Sequence, residues 1–262
     1  DEVEVNGIPF TRTGSRTNTL AAGADVRLTK LTTLGTRYDM TWVNFDRPEE
    51  TQYLSGGWIH GFRGELGRQI SPRLTAGAEY SVRTASVDEG ERDLSFQDLG
   101  GVVRVQFGQH TSGSASAGLG VLHDRNTDVT HKGPYVGLGI RHELEFAIVS
   151  AGFQRKNVPS FGFGGASASR ELRGDVTMPL GRQRMYVQGS GIWRHITPFD
   201  DLGFEIDTIS LRSTLGYYAT RWAAVAGVYT YTRQDSFVIT GGEVDRHRIG
   251  VQVVVSQPVR IR

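Results

Sequence analysis

From Leu74 to Arg83 apolar and polar residues alternate without a break. Leu74, Ala76, Ala78, Tyr80 and Val82 fall on one face, and Thr75, Gly77, Glu79, Ser81 and Arg83 on the other. Successive side chains of a strand point to opposite faces, so this segment predicts a strand with one apolar and one polar side. The same period of two runs through 20–29, 103–108, 114–121, 135–141 and 248–255. It runs less cleanly through 34–46, 56–68, 145–156, 168–178, 184–196, 208–219 and 221–233. Helical spacing fails along nearly the whole chain. Thirteen strands are clear, and the fold class they predict is all-β.

The connections alternate in length. Tight ones are expected near Lys30–Thr33, Ser71–Arg73, His110–Gly113, Arg141–Glu143, Leu180–Gln183 and Ala219–Arg221. Long polar ones are expected near Arg47–Tyr53, Val87–Asp93, Asn126–Lys132, Asn157–Gly165, Thr197–Asp207 and Gln234–Glu243, the last carrying the turn pair Gly241-Gly242. Short turns at one end and long loops at the other describe an up-and-down antiparallel barrel. In this arrangement the strand at 18–29 and the last strand both run toward the short-turn end. An earlier strand must therefore climb, and Glu2–Phe10 can supply it, with Thr11–Arg16 as the first outer loop. The expectation is about fourteen strands, within a range of twelve to sixteen, in one domain spanning 1–262.

Composition decides which side of such a barrel meets water. The chain has 262 residues, 34 of them glycine, and 38% are apolar. A soluble barrel would pack its apolar face as a core, whereas a membrane barrel turns it to lipid and keeps the polar face inside. Many apolar-face positions are small (Ala22, Ala24, Ala76, Ala78, Ala115, Ala117), which a lipid-facing wall tolerates better than a dense core does. Tyr38, Trp42, Tyr53, Trp58, Tyr80, Phe107, Phe153, Trp193, Tyr217, Tyr218, Trp222, Tyr229 and Tyr231 are expected near strand ends, where interfacial girdles would put them. No apolar run approaches the 18 or so residues of a transmembrane helix. No signal peptide is visible at Asp1. The chain has no cysteine, which excludes disulfides and thiolate-ligated metal, and its +1 net charge argues against nucleic acid.

With this alternation, strand count and loop asymmetry, the chain resembles the bacterial outer-membrane β-barrels, especially porin-like barrels of intermediate size. The resemblance is architectural and covers nearly the whole chain. It implies a place in the outer membrane among lipid and lipopolysaccharide, and a passive channel for small polar or anionic solutes that needs no cofactor. A protein partner at the periplasmic turns would suit the alternative, a non-conducting barrel that anchors a partner complex or surface-polymer export machinery.

The polar face carries Asp25, Arg27, Arg37, Asp39, Arg63, Glu65, Glu79, Arg83, Arg104, Arg141, Glu171, Arg173, Asp175, Arg212, Arg246 and Arg248, ten arginines against six acids. Lumen-lining roles are expected above all for Arg27, Arg37, Arg63, Glu79, Arg83, Arg104, Arg141, Arg173, Asp175, Arg212 and Arg248. Guanidinium groups suit planar, bidentate contact with carboxylate or phosphate, so a charged ring could give mild anion preference. Equally, most of these charges could pair across strands and stiffen the wall, as Asp25/Arg27 and Arg37/Asp39 suggest. Arg104, Arg141 and Arg212 would then remain unpaired and set selectivity.

Enzyme signatures are absent. No Gly-x-Ser-x-Gly, His-Glu-x-x-His or Walker sequence occurs. His123, Asp124, Asp128 and His131 could form a loop cluster, but their spacing fits no metal site, and solvated loop residues are the simpler reading.

Overall fold

The computed structural model describes residues 2–5, 8–45, 56–87, 92–159, 166–181, 184–199, 205–220, 223–236 and 243–255. The expected loop cores near 47–53 and 161–165, with Gly241-Gly242, lie outside them. Fourteen strands form one antiparallel sheet in strict chain order. They are β1 (Glu2–Val5), β2 (Ile8–Arg27), β3 (Thr32–Phe45), β4 (Gly57–Ser71), β5 (Leu74–Val87), β6 (Arg92–Gln106) and β7 (Thr111–Asp124). Then come β8 (Val129–Glu143), β9 (Ile148–Pro159), β10 (Ala166–Leu180), β11 (Met185–Pro198), β12 (Ile206–Tyr218), β13 (Ala223–Ser236) and β14 (Glu243–Val255).

Two expectations are corrected at the loops. Thr11–Arg16 is not a loop but part of β2, and β1 is only four residues long, paired with the outer end of β2 (Glu4↔Pro9, Val5↔Ile8). Among the described residues thirteen strands are of membrane length, β2 to β14. Asn126–Lys132 is not a long loop either. Residues 125–128 turn tightly, with Asp124 Oδ1 accepting from the Asn126 N–H at 2.9 Å and Asp128 at φ 57°. An aspartate capping its own turn and a residue able to enter the left-handed region let β7 and β8 form a close hairpin.

The apolar residues of the alternation cover the outside of the curled sheet. Leu99 is 62% exposed, and Leu138, Leu172, Leu211 and Val251 are exposed with it. In water such a belt would aggregate; in hydrocarbon it is the expected outer surface. Trp42 and Trp58, rings 5.6 Å apart, lie near the long-loop ends of β3 and β4, and Phe107 and Tyr217 near the opposite end. Tyr38, Tyr80 and Phe153, by contrast, sit in mid-strand. Strand propensity is enough to account for aromatic residues there.

Glycine makes the curvature. A Cβ on Gly118 would collide with the Leu99 carbonyl oxygen of β6, and one on Gly77 with the Leu66 carbonyl oxygen of β4. Both lie on the inner, concave face, where neighbouring backbones are driven together. Gly118→Ala should therefore lower the yield of folded barrel in a refolding assay scored by heat-modifiable gel mobility. The cost is on the order of 1–3 kcal/mol for forced backbone displacement.

β2 and β14 both run toward the short-turn end. β2 approaches β13, so the sheet closes on itself in outline. Among the described residues no ladder joins β14 to β2.

Candidate functional site: the barrel interior

The inner face is built in three levels. At the long-loop end it is apolar. Val43 of β3, Ala85 and Val87 of β5, Leu94 and Phe96 of β6, Leu122 of β7, Ala166 of β10, Ile196 of β11 and Ile206 of β12 form one buried cluster, with Ile59 and Phe199 against it. These residues come from both sides of the barrel, so the cluster spans the interior at this level. Phe96 is 1% exposed, with Leu122 beside it across the ladder.

The β9–β10 hairpin contributes to the closure. The β8–β9 ladder ends at Val136↔Arg155, while β9 and β10 stay paired to Pro159↔Ala166. Beyond Arg155, β9 leaves the wall and enters the interior. There the Arg83 guanidinium of β5 donates to the Asn157 carbonyl oxygen at 2.9 Å, and Asn157, Ser167 and Ser169 are buried.

Below the apolar level lies a belt of charges. Arg83 binds Asp98 at 3.2 Å, and Ser81 also donates to Asp98 at 3.1 Å. Arg194 binds Glu171 at 2.6 Å, and Lys156 lies among Arg83, Asp98, Glu171 and Arg194. On the β4–β8 wall Arg63 binds Glu79, which also accepts from the Tyr135 hydroxyl, and Tyr135 reaches Ser116 at 3.0 Å. Glu79 is 5% exposed. Tyr135 can reach from β8 to β5 because Gly100 and Gly118 leave the intervening strands bare. Arg104 holds Glu65 with both terminal nitrogens, one at 2.6 Å.

The third level is open. A cavity of about 670 Å³ lies against the β10–β14 wall, lined by Arg173, Asp175, Arg212, Arg246 and Arg248 together with serine, threonine and glutamine side chains. A second cavity of about 390 Å³ touches Arg63, Arg104, Tyr135 and Glu171, and Arg173 lines both.

The structure thus brings Arg63, Glu79 and Arg104 into one group, and Arg173, Asp175, Arg212 and Arg248 into another. Arg83 stands in the charge belt. Arg27, Arg37 and Arg141 join none of them, and Arg141 pairs with Glu143 at 3.1 Å, at the end of β8. Three arginines expected to be unpaired have partners: Arg104 has Glu65, Arg141 has Glu143, and Arg212 reaches Gln252 Oε1 at 3.4 Å. The expected ladders fail too. Among the described residues no ion pair joins Asp25 or Arg27 of β2 to Arg37 or Asp39 of β3. Asp25 lies over Gly35 and Asp39 over Gly61, and these glycines give the carboxylates room away from the arginines. Sequence reasoning missed Tyr135, Lys156 and Arg194 as interior groups, and it missed the apolar level. A signal for that level existed, since Ala85 and Val87 continue the polar register of Glu79, Ser81 and Arg83.

His123 bonds Thr130 at 3.1 Å, and its Nε2 lies 3.9 Å from Asp128. His131 turns elsewhere and stacks on Phe199 with ring centroids 4.5 Å apart. Among the described residues no group of three or more histidine, aspartate or glutamate side chains is placed to hold a metal ion.

No family model matches the chain, and no curated protein does. Solved structures are similar in fold. One is that of the FpvAI–pyocin S2 complex, with a TM-score of 0.50 and 11% identity over 90% of this chain and 44% of that one. Others are the copper transporter OprC (0.49, 11%, 84% and 46%) and the ferric citrate transporter FecA in its unliganded form (0.47, 9%, 91% and 47%). The chain spans somewhat less than half the length of each of these proteins. It has the transmembrane β-barrel fold of bacterial outer-membrane proteins.

Proposed function

We propose that this chain is a gated barrel of the outer membrane that passes small anionic solutes, and that the state described is the closed one. The observation that carries this reading is the apolar cluster across the long-loop end, with an open, arginine-lined cavity beyond the charge belt. A porin-like channel open at rest would need a continuous aqueous path, and an apolar constriction of this kind excludes water and ions by dewetting. A barrel serving only as an anchor would have no use for a polar chamber behind that constriction. The arginines on both interior walls favour carboxylate or phosphate over neutral solutes. Lipid and lipopolysaccharide would cover the outer belt, and the short turns would be free for a protein partner. No catalytic role is assigned.

Single-channel recording in a planar bilayer tests this. Wild-type protein should be nearly silent, and the variant carrying Phe96→Ser and Ile206→Ser should give ohmic, anion-selective steps. Steady open steps from wild type would establish the passive channel instead. Silence from the inserted double variant would establish the anchoring barrel.

A further inference from the structure

We infer that the chamber on the β10–β14 wall is a binding site for a phosphorylated polyol, a solute of sugar-phosphate size and chemistry. The inference rests on the reading of the interior as a solute path and names what the path would select. One rung of the sheet runs Asp175↔Ser190↔Arg212↔Thr230↔Arg248 across five strands. Arg212 and Arg248 flank the Thr230 hydroxyl two strands apart, about 10 Å between backbones at the usual strand spacing. Both side chains and the Thr230 hydroxyl line the one cavity, so two guanidinium groups and a hydroxyl donor are available to a single phosphate. Arg246 and Arg173 line the same cavity one rung toward the long-loop end. With Asp175 as the only acid lining it, the chamber carries four positive charges against one negative.

The rest of the lining is suited to hydroxyl groups rather than to a bare ion. On the rung of Arg173 and Arg246, Ser210 and Thr232 are buried and 3.4 Å apart. Ser190, Thr214, Thr230, Gln188 and Gln252 line the cavity with them. The cavity, at about 670 Å³, is several times larger than a phosphate ion needs and is in the range of small-molecule sites.

The test is calorimetric titration of the full chain, refolded in detergent, with glucose 6-phosphate, glucose and inorganic phosphate. Glucose 6-phosphate should bind, inorganic phosphate at least tenfold more weakly, and glucose not measurably. Arg212→Gln with Arg248→Gln should weaken the sugar phosphate at least tenfold, while Arg125→Gln, in the exposed turn between β7 and β8 at the long-loop end, should leave it unchanged. Inorganic phosphate binding as tightly as glucose 6-phosphate would overturn the polyol assignment. Equal binding by wild type and the Arg212/Arg248 variant, both showing the folded gel mobility, would overturn the site. Because binding is read without current, this can fail while the gating result stands, and the reverse.

Discussion

Phe96→Ala should cost the folded barrel roughly 3–5 kcal/mol, the usual range for emptying a large aromatic site in a packed core. The ring is surrounded by the apolar cluster and lies under the Arg83 guanidinium, 5.2 Å from its centroid. Deleting it leaves a void and strips the face on which Arg83 rests while that residue holds Asp98 and Asn157. The appropriate comparison is Leu99→Ala, three residues along on the opposite face of the same strand. Leu99 is 62% exposed and borders lipid, which would fill the space it leaves. Urea unfolding in lipid vesicles should therefore shift its midpoint strongly for Phe96→Ala and weakly for Leu99→Ala, with little change in slope. Equal shifts would mean that the interior cluster is not a core.

Leu138→Arg carries the second large effect. Leu138 faces outward in the middle of β8 and is exposed. A guanidinium at the middle of the hydrocarbon costs about 2–4 kcal/mol in a barrel. Gln154→Arg, on the inner face of neighbouring β9 and opposite Glu171, should change stability by less than about 1 kcal/mol. The two variants add the same group on neighbouring strands, so the difference between them reports sidedness alone. Matching losses in a vesicle-unfolding titration would show that the outer belt is not in lipid.

The fold was legible where one physical cause dominated. Alternation from Leu74 to Arg83 suffices to place β5, because a strand between lipid and an aqueous interior has opposite demands on its two faces. The first hairpin was not legible. Thr11–Arg16 is polar and reads as a loop, yet in β2 it continues a strand past the wall, where polarity no longer distinguishes strand from turn. The 125–128 turn was overestimated for a related reason: polar residues at the start of β8 resemble loop residues. For the interior, register shows which residues face inward but not how they meet. Arg63 and Glu79 lie on adjacent strands and could be matched from sequence. Arg104 and Glu65 are two strands apart, and Tyr135 reaches Glu79 across three, so those pairings follow from curvature and from bare glycine between them. The inward lean of β9 has no sequence period at all. It shows only as the early end of the β8–β9 ladder.

The unjoined edges of β2 and β14 have a bearing on how the molecule assembles. Every ladder links strands that are neighbours in the chain, so the sheet can zip hairpin by hairpin with little loop-closure cost, a topology of low contact order that favours fast folding. Rolling this ribbon into a cylinder is a separate event, since no ladder among the described residues fastens the edges. What draws the two sides together is the side-chain interior, above all the Phe96 cluster and the Arg83 bond to β9. In the gated reading proposed above, the element that seals the passage would also latch the cylinder. A gate that opened by dissolving the whole cluster would release the curvature with it, so the proposed gating calls for an opening motion that leaves part of that latch in place.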